Sequence, residues 1–171
     1  MLSVPAILAR QFPPRPIGLR PSWGLAAPTG PVALTITGQI CWPNTDAGLA
    51  LDATLLRSVP AEEITTTTDW PKLTTPQHYR GPALMPLLRA AGWRGTDISL
   101  HGVDGYSAET TLQALRGSSA IVATEFNGMP LPCTRYAPLW LMFPFDEAPD
   151  QMTRWRKRAC AVWGLTRIEV H

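Results

Sequence analysis

Proline and glycine limit this chain more than any other feature. Its 171 residues include 18 prolines and 13 glycines. Proline interrupts helix interiors and central strands, and glycine weakens both. Much of the chain must therefore form loops, turns and edge strands, which argues against a helical bundle. The length favours one domain, and a hydrophobic content of 45% is enough to build a core.

The charge balance narrows the range of partners. Fifteen basic and 13 acidic residues give a net charge of +2. A nearly neutral chain is a poor match for a phosphate backbone, so we expect no nucleic-acid partner. No apolar run approaches the roughly 20 residues that a membrane span needs. The sequence therefore predicts a protein without a membrane span.

The first 30 residues differ in composition from the rest. Residues 1–30 are rich in proline and predict an extended arm, while residues 31–171 form the predicted domain. A degraded secretion signal is the alternative for the arm. Its apolar patch, Val4 to Ala9, is short for a signal-peptide core, and Pro5 interrupts it.

The cysteines and histidines show no ligand spacing. Cys41, Cys133 and Cys160 lie far apart, with no Cys-x-x-Cys pair. We therefore expect free or buried thiols rather than a disulfide framework or a zinc site. The adjacent carboxylates Asp146 and Glu147 are interpreted as loop charges.

Periodicity predicts an irregular order of strands and short helices. Val32 to Ile40 alternates apolar and polar residues, as in a half-buried strand. Helical spacing predicts one short helix that Pro60 ends, and another from Leu84 to Ala91 with Gly92 just after it. Further strands are predicted in EEITTTTDW, DISLHGV, AIVATEFNGMPL (with an Asn-Gly hairpin turn), PLWLMFPF and LTRIEVH, and a loop with broken helical character in APDQMTRWRKRACAVWGL. This order predicts an α+β fold with a mixed sheet.

The order of these pieces resembles a known family. The motifs are LTITGQI, ITTTTDW, YRGPALMPLLRAAGW, DGYSAE, FNGMPLP, RYAPLWLMFPFD and WGLTRIEV. In this order they resemble the oxidoreductase molybdopterin-binding domain, the sulfite-oxidase fold, over about Pro31 to His171. The resemblance implies an α+β fold with a mixed β-sheet and short helices, and a pterin as ligand.

Two departures from the family pattern bear on function. In catalytic members a strand ends in a Cys-x-x-x-Trp-like stretch, and the thiolate of that cysteine ligates molybdenum. Alignment on Trp70 puts Thr66 in the place of the cysteine. A threonine hydroxyl is hard, neutral and a poor ligand for such a metal. Those members usually also carry a Gly-Pro-Leu-Arg stretch whose arginine helps the anionic substrate pocket. The stretch reads Ala137-Pro138-Leu139-Trp140 here, so an aromatic residue replaces the pocket arginine. The chain thus resembles small bacterial pterin-binding members that act as sensors beside a membrane signalling enzyme.

The resemblance assigns roles to a set of ligand-binding candidates. A pterin needs aromatic faces for stacking, a carboxylate at its amino edge and a donor at its oxo group. The candidates are Thr66, Thr68, Asp69, Trp70, Asp104, Tyr106, Arg135 and Trp140. Each also has a plain structural explanation. It is strand propensity for the threonines, turn or surface chemistry for Asp69, Asp104 and Arg135, a lid on the core for Tyr106, and core packing for both tryptophans. No catalytic residue and no metal ligand are predicted.

Three functions remain open from the sequence. The first is a module that binds a pterin, reduced or molybdopterin-like, without a metal and passes its occupancy to a membrane signalling protein. The second is a molybdopterin-dependent oxidoreductase without the cysteine ligand, and the third is a scaffold with a vestigial pocket. The missing cysteine favours the first over the second, so a non-catalytic protein is preferred to an enzyme. The resemblance also implies a periplasmic location.

Overall fold

A computed structural model gives the fold and describes residues 26–69, 72–131, 138–148 and 150–171. The strands are β1 Val32–Gly38, β2 Leu49–Asp52, β3 Ala61–Asp69, β4 Lys72–Pro82, β5 Asp97–Gly102, β6 Ser107–Thr111, β7 Ile121–Ala123, β8 Glu125–Phe126, β9 Met129–Pro130, β10 Trp140–Met142 and β11 Leu165–Val170. The helices are α1 Ala53–Ser58, α2 Leu84–Ala91, α3 Leu112–Leu115 and α4 Gln151–Cys160, with a 3₁₀ turn at Phe145–Glu147.

The largest sheet contains five strands in the order β2-β1-β11-β5-β6. β1 pairs with β11 in parallel, and the other neighbours are antiparallel. The sheet is therefore mixed, and together with the short helices it confirms the predicted α+β fold. Its buried side chains, such as Leu34, Ile36 and Leu100, are fully excluded from solvent.

The second sheet is antiparallel and carries the threonine run. Its strand order is β3-β4-β8-β9, and β3 pairs with β4 from Ala61–Pro82 to Asp69–Lys72. The register shifts between Thr66 and Thr68. A separate pair, β10 with β7, connects this sheet to the core.

Several locally specified elements form as predicted. α2 buries Leu84, Leu87 and Leu88, and Gly92 ends it in a left-handed conformation with φ of 64°. A substitution that adds a β-carbon at Gly92 would also bring that atom into contact with the Trp42 ring. Asn127 and Gly128 both adopt positive φ at the hairpin between β8 and β9, as an Asn-Gly turn requires.

α1 begins at a carboxylate cap that also holds the preceding chain. Asp52 accepts hydrogen bonds from the backbone N–H groups of Thr54 and Leu55, and from those of Thr29 and Gly30. The bond from Leu55, with the others, lowers the pKa of Asp52 against the opposing effect of burial. The cap therefore ties residues 29–30 to the start of the helix.

Two elements differ from the prediction. The segment after residue 150 was expected to be a loop with broken helical character, but it forms the regular helix α4. Asp150 caps this helix by accepting a bond from Thr153 N at 2.7 Å. The apolar stripe that marks most surface helices is weak in this polar segment, so periodicity does not reveal it.

β4 is the second element that the sequence did not indicate. Pro76 lies within it, and proline usually argues against a strand. The register of β3 and β4 shifts between the pairs Thr66–Gln77 and Thr68–Leu73, so Pro76 has no partner residue in β3. The N–H group that proline lacks therefore costs no hydrogen bond between the two strands.

The remaining sequence expectations concern thiols and membranes. Cys41 and Cys160 are free, and Cys133 lies outside the described residues. Among the described helices, none has the length and apolar character to cross a membrane.

Candidate functional site

The end of β3 carries Thr66 and Thr68, and the replacement of a metal-binding cysteine by Thr66 stays a prediction from the resemblance. Thr66 is fully buried and Thr68 is 5% exposed. The Thr66 hydroxyl donates to the Thr67 carbonyl at 3.3 Å and accepts from the Asp146 backbone N–H at 3.2 Å. The Thr66 hydroxyl therefore both donates and accepts a hydrogen bond within the protein.

A carboxylate network closes over this strand end. Asp146 accepts bonds from Thr67, at 2.6 Å from its N–H and 2.6 Å from its hydroxyl. Arg154 of α4 donates to Asp146 at 3.0 Å and to the Thr67 hydroxyl at 3.1 Å. Residues Thr66, Thr67, Asp146 and Arg154 are called the Asp146 network below.

The network sets the charge state of its carboxylate. Burial alone raises the pKa of Asp146, but the bonds from Thr67, Arg154 and Thr66 outweigh burial and lower it. Asp146 is therefore an ionised structural acceptor and not the free loop charge that the sequence suggested. Thr67 and Arg154 were not among the predicted residues, and no local motif indicates them, because 79 residues separate Thr67 from Asp146.

Trp140 lies in a cluster of aromatic side chains. It is 9% exposed, and its ring meets that of Trp163 edge-on, with centroids 4.6 Å apart. The rings of Phe126 and Tyr79 lie 5.9 and 6.3 Å away. This packing is the core role that the sequence offered as the alternative to a ligand contact.

Tyr79 places a polar group inside the same cluster. Its side chain is 1% exposed, and its hydroxyl has no well-formed hydrogen bond to the described residues. Burial raises the pKa of Tyr79, while the neighbouring Thr68 side chain lowers it. Thr68 thus links the threonine strand to the aromatic cluster.

Asp104 and Tyr106 occupy the turn between β5 and β6. Asp104 accepts a bond from the Tyr106 N–H at 3.0 Å, which is ordinary turn chemistry. The Tyr106 hydroxyl donates to the Ala159 carbonyl of α4 at 2.8 Å, and the side chain is 45% exposed. α4 therefore contacts both the turn, through Ala159, and the end of β3, through Arg154.

Three of the predicted site residues have no described side chain. Trp70 and Arg135 lie outside the described residues, and Asp69 is described only as the last residue of β3. Their assigned roles at the pterin stay predictions. Thr68 and Trp140 share Tyr79 as a neighbour, whereas Thr66 belongs to the Asp146 network. Tyr106 bonds to α4, and Asp104 bonds within its own turn.

The donor chemistry at the strand end does not suit molybdenum. Thr66 offers a buried, hydrogen-bonded hydroxyl where a soft thiolate is needed. No cluster of three or more His, Cys, Asp or Glu side chains occurs within the part of the chain that the structure describes. The absence of a metal stays a prediction.

Comparison with known proteins agrees with this architecture. Residues 50–156 match the family model for the oxidoreductase molybdopterin binding domain. The solved structure of the sulfane dehydrogenase SoxCD from Paracoccus pantotrophus is similar, with a TM-score of 0.56 and 16% identity. The similarity covers 81% of this chain and 37% of the SoxCD chain, and at this identity it shows the fold alone. The comparison with curated proteins gives no match.

Proposed function

Because the chain belongs to the oxidoreductase molybdopterin-binding domain family, we propose that it binds a reduced or molybdopterin-like pterin without ligating a metal at the end of β3. The observation that carries this proposal is the state of the Thr66 hydroxyl. Thr66 is fully buried, and its hydroxyl accepts a hydrogen bond from the Asp146 N–H at 3.2 Å. Turning it toward a metal would break that bond and leave a buried donor unpaired, which is costly.

The Asp146 network supports the same conclusion. Arg154 and Thr67 use the Asp146 carboxylate as a structural acceptor, so this strand end is stabilised without a metal. Trp140 stands where catalytic members carry a pocket arginine, and its ring is occupied by aromatic packing. These features support ligand binding over substrate turnover.

We further propose that the occupied protein signals to a partner, a membrane signalling protein, in the periplasm. The support is the resemblance to small sensing members of the family and the position of α4. This helix contacts the strand end through Arg154 and the turn through Ala159. A ligand that reaches both places has α4 as its common neighbour.

The alternative function is a molybdopterin-dependent oxidoreductase. The family match supports it directly, because the name of the family carries that activity. In such an enzyme the cofactor supplies the redox chemistry, and the protein orients it and excludes water. The residues of this chain would then hold the pterin through groups other than a thiolate.

Titration of a reduced pterin, followed by fluorescence, tests binding. We expect Trp70→Ala to weaken it by about 1–3 kcal/mol, roughly 5- to 150-fold, if Trp70 stacks on the ring. The thermal melt of the ligand-free variant should stay close to wild type. Unchanged affinity, or a melt that collapses, would remove Trp70 from the site.

Metal analysis separates the two functions. We expect protein from its native host to contain no stoichiometric molybdenum, and one molybdenum per chain would establish the alternative. Thr66→Cys restores a thiol at the strand end, and Thr65→Cys on the exposed side of β3 is its control. Neither variant should acquire molybdenum, because the surrounding residues are not arranged to orient a metal ligand. Molybdenum in Thr66→Cys alone would contradict this expectation.

A further inference from the structure

A cavity of about 430 Å³ lies beside α4, on a face of the helix next to the one that carries Arg154. Its walls are the loop after α3, the segment around the 3₁₀ turn, and one face of α4. Thr153, Arg156, Lys157 and Cys160 line it at the i, i+3, i+4, i+7 spacing of a single helix face. It is called the α3–α4 cavity below.

The lining of the α3–α4 cavity is predominantly cationic. Arg116, Arg156 and Lys157 face one carboxylate, that of Glu147. Lys157 donates to the Pro144 carbonyl at 3.2 Å, which fixes its ammonium group at the wall. Burial raises the pKa of the Cys160 thiol against a smaller effect of Thr110, so Cys160 adds no negative charge near neutral pH.

A buried hydroxyl without a partner lies in the same wall. Ser118 is 8% exposed, and its Oγ has no hydrogen bond to any described residue. Gly117 and Ser119, on either side, both adopt positive φ, of 71° and 52°. Natural proteins rarely leave a buried hydroxyl unpaired, so the Ser118 hydroxyl is available to a further hydrogen-bond partner such as a phosphate oxygen.

The cavity is larger than a free anion requires. Its volume lies within the range of small-molecule sites, and Leu115, Pro144 and Phe143 supply an apolar part of the wall. The cations and the Ser118 hydroxyl suit phosphate oxygens, which accept several charge-assisted hydrogen bonds.

We propose that the α3–α4 cavity binds a small organic phosphate, with its phosphate between Arg116, Arg156, Lys157 and the Ser118 hydroxyl and its organic part against Leu115 and Phe143. The lining of this cavity includes none of the residues of the Asp146 network. Arg154, on the neighbouring face of α4, is directed to Asp146.

Calorimetric titration of the full chain tests the proposal with two probes, inorganic phosphate and phenyl phosphate, in low-chloride buffer. We expect both to bind saturably and phenyl phosphate to bind more tightly, because its ring can cover the apolar wall. Equal affinity of the two probes would refute the proposal that the ligand has an organic part. If neither probe binds, the proposed phosphate site is refuted.

Arg156→Gln removes one cation from the cavity, and Arg89→Gln removes one from the exposed end of α2 as a control. Arg156→Gln should weaken phenyl phosphate about tenfold or more, whereas Arg89→Gln should not. Equal effects of the two variants would show that phenyl phosphate binds by nonspecific electrostatic attraction, which would refute the site. Pterin affinity should be the same in Arg156→Gln and wild type, so failure of this site is distinguishable from failure of the proposed function.

Ser118→Ala tests the unpaired hydroxyl without changing charge. Removal of a buried group that lacks a partner should leave the melting temperature of the ligand-free protein unchanged or higher, while phenyl phosphate affinity falls. A lower melting temperature would show that the hydroxyl already has a partner within the protein. That result, or unchanged affinity, refutes its role as a phosphate ligand.

Discussion

Trp140→Ala distinguishes a core tryptophan from a ligand face. The ring is 9% exposed and packs edge-on against Trp163, with Phe126 and Tyr79 beside it. Truncation removes about 150 Å² of buried apolar surface, which at about 25 cal/mol per Å² corresponds to about 4 kcal/mol. Core tryptophans typically cost about 3–5 kcal/mol on truncation to alanine. For a chain of this length we expect the melting temperature to fall by about 8–16 °C.

Urea unfolding followed by circular dichroism measures this loss on the ligand-free protein. Trp140→Phe is the matched control, because it keeps a ring in the cluster and should cost less. The pterin affinity of either variant should stay near wild type under conditions in which it is folded. A stability loss below about 0.5 kcal/mol, the range of ordinary surface substitutions, combined with weakened pterin binding would refute the core role.

Three further variants test the supporting structure. Asp146 has a pKa below its usual value in the folded state, so its ionised form stabilises the fold above the unfolded pKa of about 3.9, and that advantage disappears as the pH falls through the folded pKa. Asp146→Asn should therefore cost about 0.5–1 kcal/mol near pH 7, as for a partly exposed ion pair, and the gap to wild type should shrink in urea melts at pH 3; a constant gap contradicts the assignment. Asp52→Ala removes the cap that four backbone N–H groups share and should lower the melting temperature more than Asp52→Asn, which keeps one acceptor oxygen; equal melts would show that the cap is dispensable. Gly81→Ala places a β-carbon against the Val122 carbonyl oxygen, which belongs to the backbone and cannot rotate away. It should destabilise by about 1–3 kcal/mol, whereas Gly30→Ala, whose β-carbon meets Asp52 only at ordinary contact distance, should be nearly neutral in the same melts.

Elements with local signals were predictable from the sequence. α2 carries its apolar spacing in Leu84, Leu87 and Leu88 and its stop signal in Gly92, and all of these act within a few residues of one another. The Asn127-Gly128 turn is similar, because two adjacent residues determine its backbone. Such elements depend little on the rest of the fold.

Elements that depend on distant partners were not predictable. α4 carries only a weak apolar stripe, and its Asp150 cap and its contacts with the 3₁₀ turn and with β6 help to hold it. β4 tolerates Pro76 only because its partner strand shifts register at that point. Neither condition can be found in the segment itself.

The candidate site divides in the same way. The replacement at Thr66 is a prediction from the resemblance, and the structure adds that this residue is fully buried. The backbone N–H that donates to its hydroxyl belongs to Asp146, 80 residues away, and the two residues could not be paired from one sequence. Trp140 was offered as either a pocket or a core residue, and only its three ring neighbours show the packing.

The parallel pairing of β1 with β11 affects how the chain folds as it is synthesised. β11 lies between β1 and β5, and both of those strands leave the ribosome before it. Until residues 165–170 have emerged, β1 and β5 each present an unpaired edge, a surface that readily recruits other extended chains. A nascent chain halted before Leu165 should therefore associate with chaperones or with other nascent chains, and release of the last strand should end that association.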